Sequence, residues 1–239
     1  MKKLLFATTA LVAFGAPATA SDIPARAVVK APVMVTAPVA TWTGCYVGAH
    51  IGGGWGRTVF SNTSPFVIPP GADVSVHPNG FLGGAQIGCD YQFAPNWVIG
   101  IANDFSWADI KGNEDDPFFT NKNLAAKTEW IDTLAGRLGY AGATWMVYGL
   151  GGVAWASDRY DLTINPGATV LSAKETRSGW VAGSGLEWRF AHNWSAKIEY
   201  NYLDFGTKTV TLTSGGGGQL PIDVSQRISL VKVGINYRF

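Results

Sequence analysis

Five pairs of aromatic residues stand ten positions apart along the chain: Phe81 and Tyr91, Trp97 and Trp107, Trp130 and Tyr140, Trp145 and Trp155, Trp180 and Phe190. Ten is even, so on a β-strand both members of each pair face the same way. A strand of about ten residues, rising about 3.3 Å each and tilted by about 40°, climbs about 25 Å. That is the height of the apolar band of a barrel that crosses a lipid bilayer, and such barrels carry an aromatic girdle at each rim. The spacing therefore predicts an all-β chain: an eight-stranded antiparallel transmembrane β-barrel whose ten paired aromatics mark the two membrane interfaces.

Segmentation of the chain agrees. Strand-like stretches fall at about 42–56, 80–93, 97–110, 128–140, 145–156, 178–190, 194–205 and 226–239. The connections alternate between short ones, at Ala94-Pro95-Asn96, Ala141 to Thr144 and Ala191-His192-Asn193, and long ones over 57–79, 111–127, 157–177 and 206–225. In the second stretch Phe81, Ala85, Ile87, Tyr91 and Phe93 share one face, opposite Gln86, Asp90 and Gln92. In the seventh, Trp194, Ile198, Tyr200 and Tyr202 oppose Ser195, Lys197, Glu199 and Asn201. Because the apolar face holds the girdle aromatics, it is assigned outward, to lipid. The stretch from Trp145 to Trp155 is apolar on both faces and is oriented by its two tryptophans. Phe239 and Trp42 are expected to close the aromatic ring where first and last strands meet.

Residues 1–20 have the make-up of a signal peptide: Lys2 and Lys3, an apolar run from Leu4 to Ala16, and a small-residue cleavage site at Ala18-Thr19-Ala20. Residues 21–41, rich in Pro, Ala and Val, read as a periplasmic linker, leaving 42–239 for the barrel. Loss of Lys2 and Lys3 takes the 18 basic residues to 16 against 17 acidic ones, a balance that argues against a nucleic-acid partner. Cys45 and Cys89 lie on the outward parity near one end of neighbouring strands. Both a cross-strand disulfide and two unpaired small apolar side chains fit that placement.

An eight-stranded barrel is filled by its own side chains. The parity points Asp90, Asp104, Arg137, Glu187, Arg189, Lys197, Glu199, Lys232 and Arg238 into the lumen. A ladder of ion pairs is the expected arrangement, with Lys232 beside Glu199 and Glu187, because unpaired charges there are costly. Lining of an ion path is the competing reading. Catalysis, a metal and a cofactor all lack a supporting pattern: His50, His77 and His192 are the only histidines, and none shares an outward face with a serine two residues away. His50 is expected to be hydrogen-bonded in the lumen.

Several passages, in order, resemble the RopB-type small outer-membrane proteins of α-proteobacteria, within the wider OmpA/opacity-protein barrels. They are Trp42-Thr43-Gly44-Cys45-Tyr46-Val47-Gly48-Ala49, Gly136-Arg137-Leu138-Gly139-Tyr140, Tyr148 to Ala154, Gly183-Ser184-Gly185-Leu186-Glu187, Lys197-Ile198-Glu199-Tyr200 and Val233 to Phe239. The resemblance implies an outer-membrane location, lipid and lipopolysaccharide as surroundings, and reading of Tyr237 and Phe239 by the barrel-assembly machinery. It implies a structural role in envelope integrity with displayed surface loops. A narrow porin-like conduit is one alternative. The other is surface binding of a ligand or host factor, for example haem at His77 with Phe60 and Phe66. Ala102 and Ala135 stand where similar proteins place a glutamate and an arginine.

Overall fold

The computed structural model describes residues 41–61, 73–115, 122–164, 169–214, 217 and 219–239. The signal and linker assignments over 1–40 and Phe66 lie outside them. Among the described residues nine strands form: β1 (Gly44–Ser61), β2 (Asp73–Val76), β3 (Asn79–Ala94), β4 (Trp97–Asp115), β5 (Lys122–Ala141), β6 (Trp145–Ile164), β7 (Thr169–Arg189), β8 (Trp194–Ser214) and β9 (Gln219–Arg238). Each pairs antiparallel with its neighbour, and β1 also pairs with β9 from Tyr46↔Arg238 to Ser61↔Asp223, which closes eight long strands into a barrel.

The extra strand, β2, is a detached continuation of β3. Val76 pairs with Thr58 and Asn79 with Trp55, so β2 and β3 run along the same side of β1 with a break at His77-Pro78. Proline has no N–H for a ladder, and here its carbonyl accepts from Gly56 N at 2.8 Å instead.

The long strands correct the expected segmentation: between 10 and 17 of the residues assigned to each long connection are strand. The reason is visible along β9. Near the short-turn end, Val231, Val233, Ile235 and Tyr237 face out while Lys232, Asn236 and Arg238 are buried within. Farther up, the same strand turns Asp223, Ser225 and Arg227 outward and buries Ile222, Val224, Ile228 and Leu230. The wall is inside-out where its outer face is apolar and has the polarity of a water-soluble barrel above that. At the change of zone β8 carries an irregularity between Asp204 and Thr207. Gly206 takes φ +62° there, in the left-handed region that favours glycine.

Trp155 marks the change of zone on β6. Below it Trp145, Val147 and Val153 are exposed; above it come Arg159 and Asp161. Outward parity of the two tryptophans holds, since Met146, Tyr148 and Ala154 are buried inside. At the short-turn rim aromatic side chains meet across strands: Trp97 with Tyr140 at 5.6 Å, Tyr140 with Trp145 at 6.1 Å, Trp194 with Tyr237 at 5.2 Å. Trp107 pairs with Trp130 at the other rim, and Phe81, Tyr91, Trp180 and Phe190 are exposed on the same outer face. Phe239 is also exposed.

Trp42 is not part of that ring. It is completely buried, packed inside the short-turn mouth with Val98, Ala141, Met146 and Tyr148. Gly44 at φ +141° lets the chain turn inward before β1, and a Cβ there would lie 2.8 Å from the Phe239 carbonyl oxygen.

Candidate functional site: the barrel interior and its outer wall

Eight of the nine predicted inward charges assemble into two groups, each of two acids and two bases. In the group nearer the short turns, Arg137 lies against Asp90, with Nε to Oδ1 at 2.7 Å and a second contact from Nη2 to Oδ2. Its Nη1 reaches Glu187 at 3.3 Å. Arg238 contacts the same two carboxylates, at 2.8 Å to Asp90 and 3.4 Å to Glu187. Glu187 also accepts from Ser195 Oγ at 2.6 Å and Asn236 Nδ2 at 3.1 Å. Asp90 and Arg137 both stand opposite Gly100, on β3 and β5, and their contact passes across it; a Cβ at Gly100 would lie 2.2 Å from the Asp90 oxygen. Arg137 is held between the rings of Tyr46 and Tyr148, at 4.8 and 5.0 Å.

One level higher, Lys232 bridges Asp104 at 2.9 Å and Glu199 at 3.0 Å, and Lys197 bridges the same pair at 3.3 and 3.2 Å. Tyr148 donates to Glu199 at 2.7 Å and so links the two groups. Lys232 thus joins Glu199 as expected, but its second partner is Asp104 on β4; Glu187 is engaged by the arginines. Arg189 stays outside both groups, a correction to the nine-member lumen set. It ends β7 at the mouth, stacks on the Trp42 ring at 4.5 Å and donates to the Thr41 carbonyl at 2.8 Å. Without it the two groups balance, four acids against four bases, as burial in a low-dielectric wall demands; Asp158 and Arg177, buried higher up and absent from the nine, add one charge of each sign.

His50 sits beside the upper group, with Nδ1 3.0 Å from Gln86 Oε1 and Nε2 2.8 Å from Ser106 Oγ. A serine–histidine contact with Asp104 3.7 Å from the ring resembles the parts of a nucleophilic site. Both side chains are buried in the lumen, at 3% exposure each. Parity could place His50 inside; it could not name Ser106 and Gln86 as its partners, which depend on register.

Above the charges lies an apolar layer of inward side chains, among them Leu82, Ile110, Ile131, Leu203, Phe205 and Leu230. A buried polar set follows, in which Gln226 Nε2 donates to Asp158 at 3.0 Å and Arg177 donates to Tyr160 at 3.2 Å and to the Val224 carbonyl at 2.7 Å. The top is again apolar, with Val74, Val76, Leu162, Val210 and Val224 around Phe60. Phe60 is 2% exposed and faces inward, which removes it from the surface haem contact expected of it. His77 is exposed.

On the outer wall Cys45 and Cys89 are cross-strand partners and form a disulfide. Above the aromatic rim, Lys111, Lys127, Arg159 and Lys174 stand opposite one another in register across β4 to β7. Each has a carboxylate: Asp109 for Lys111 and Lys127 at 3.0 and 3.2 Å, Asp161 for Arg159 at 3.2 Å, Glu129 for Lys174 at 2.5 Å.

An apolar belt outside, paired charges within and strand ends joined by short turns on one side are the marks of an outer-membrane barrel, and residues 6–239 match the family described as outer membrane protein beta-barrel domain. The chain belongs to that family. It is 31% identical over 251 residues, covering 100% of both chains, to the 31 kDa outer-membrane immunogenic protein of Brucella melitensis biotype 1. It is 27% identical over 203 residues to the 22 kDa outer membrane protein of Rhizobium leguminosarum bv. viciae, covering 84% of this chain and 80% of that one. Among solved structures it is similar to the outer membrane protease OmpT of Escherichia coli, with a TM-score of 0.52 and 8% identity over 83% of this chain and 98% of that one. At that identity the likeness concerns fold alone. The protein is a Gram-negative outer-membrane β-barrel, a class in which the short turns face the periplasm.

Proposed function

We propose that the protein is a structural, non-catalytic element of the outer membrane: a sealed barrel that supports envelope integrity and carries surface loops on a rigid wall extending above the lipid. The observation that carries this reading is the apolar interior layer around Ile110, Ile131, Phe205 and Leu230. An apolar constriction of this kind closes an ion path by excluding water. Here the charges of the two lower groups pair with one another, with that layer above them and Trp42 on the periplasmic side. The conduit reading is the weaker for it. The names of the Brucella relatives call them immunogenic, which accords with display at the surface.

Planar-bilayer recordings of purified protein test the sealed state. No steady conductance is expected; a steady conductance that shifts when Lys197 and Lys232 are neutralised refutes it. A strain lacking the protein is expected to be more sensitive to detergent, and unchanged sensitivity counts against the envelope role.

A further inference from the structure

The seam where β1 meets β9 carries an arrangement that neither closure of the barrel nor a sealed lumen requires. Arg57 and Arg227 are directly opposite each other on the outer face. Like charges in that position destabilise a sheet unless an anion lies between them. Their own partners are few. Arg227 Nε lies 3.2 Å from Asp204 Oδ2, and Arg57 donates to Ser75 Oγ from Nη2 at 3.0 Å and Nε at 3.4 Å. Among the described residues Arg57 has no carboxylate within ion-pair distance, in contrast to the four cations of the β4–β7 row, each of which has one.

Directly below, toward the bilayer, Trp55 and Ser229 form the next outward cross-strand pair, and below these the wall opens into an apolar groove of about 930 Å³. Ile51, Gly53, Phe81, Val231 and Val233 line it, and Gly83 borders it as the cross-strand partner of Ile51. Phe81 is 84% exposed and stands at its edge opposite Gly53. The fold does not demand glycine on this floor. A Cβ at Gly53 would meet only the Gly80 carbonyl oxygen at 3.7 Å, and one at Gly83 would meet the His50 carbonyl oxygen at 3.6 Å and Ile51 Cγ2 at 3.7 Å, all ordinary contacts. Bare backbone here leaves room against the wall that a side chain would fill. Arg57 lies two residues beyond Trp55, a rise of about 5 Å along a tilted strand. That sets both guanidinium groups at the height where acyl chains give way to phosphates, on the side away from the short turns and so in the outer leaflet.

We propose that this seam binds one phosphorylated glycolipid of the outer leaflet, its phosphate held between Arg57 and Arg227 and an acyl chain laid in the groove over Gly53 and Gly83. Guanidinium matches phosphate with paired N–H donors, and two of them converging from adjacent strands relieve their mutual repulsion on the anion. Asp204 keeps one of the two arginines oriented. The apolar groove and the cationic pair together select a lipid whose phosphate and chain are joined; a soluble polyanion would use the arginines alone.

The test uses the delipidated, refolded full barrel, with diphosphoryl lipid A as probe and binding read by native mass spectrometry. Wild type and Lys111→Gln/Lys127→Gln are expected to retain the lipid equally. Arg57→Gln/Arg227→Gln and Gly53→Val/Gly83→Val are each expected to bind about tenfold or more weakly, as loss of a charge-assisted contact or of the groove dictates. Heat-modifiable gel mobility reports whether each variant is folded. A measurement needing no variant accompanies them: wild type should lose the same affinity for lipid A stripped of both phosphates. Retention unchanged in either folded double variant, equal binding of the dephosphorylated lipid or of phosphatidylglycerol, or displacement by a soluble sulfated glycan would each overturn the proposal.

Discussion

Replacing Lys232 with Met probes whether the upper charge group acts as one unit. Lys232 holds Asp104 and Glu199 at 2.9 and 3.0 Å, and its side chain is 2% exposed. At such distances each contact is worth about 6 kcal/mol at an effective dielectric of about 20, before the desolvation cost of both groups is set against it. After the substitution two buried carboxylates share Lys197 alone, and removal of one partner from such a set costs about 3–5 kcal/mol. Asp104→Leu leaves the opposite imbalance, two lysines on one carboxylate, and should cost a similar amount. The double variant Lys232→Met/Asp104→Leu restores neutrality through the Lys197–Glu199 contact at 3.2 Å. It should therefore cost at least about 2 kcal/mol less than the two singles added together. Urea unfolding in lipid vesicles, followed by tryptophan fluorescence with gel mobility as a second probe, measures all three. Additive costs would refute the claim that these residues form a mutually neutralised unit.

Arg189→Gln, by contrast, should cost no more than about 2 kcal/mol in the same assay, since Arg189 contributes a stack on Trp42 and one hydrogen bond. Trp42→Ala should cost about 3–5 kcal/mol through the lost core packing, and a smaller effect would show that the mouth is already wet. Cys45→Ser/Cys89→Ser, which opens a closure spanning 44 positions, should lower stability by up to about 4 kcal/mol, and reductant should do the same to wild type. Spin labels at Ile87 and Ile198 should report hydrocarbon, while labels at Arg159 and Lys174 should report water although they face outward. Hydrocarbon contact at the latter two would place the lipid boundary too low.

Barrel class, strand number and facing of the lower wall were legible because lipid imposes one rule on every strand: apolar out, with aromatics ten residues apart. The upper wall was hidden by the same rule. Tyr160, Leu162, Ile222 and Val224 alternate as regularly as Val231 and Val233, but they point inward, so a search for outward apolar faces ends the strand at the rim. Trp42 was read as a rim aromatic because composition cannot show that Gly44 turns the chain under the mouth. Arg189 had the right parity and the wrong height: one step below Glu187 on the same face is already outside the lumen. For Lys232, parity gave the correct neighbour on β8, but its Asp104 contact crosses from β9 to β4, and pairing between sequential strands does not reveal it.

The reversal of polarity partway up the strands has a consequence for how the molecule meets its surroundings. From Trp155 to the top of β6 the wall climbs a further 20 Å or so. The strand ends at its summit are thereby lifted as if on a pedestal, above the aromatic rim. The pedestal is rigid because it has its own oily centre, so residues at the tip can be exchanged without disturbing the part embedded in lipid. Variation there is mechanically free; variation in the shaft is not.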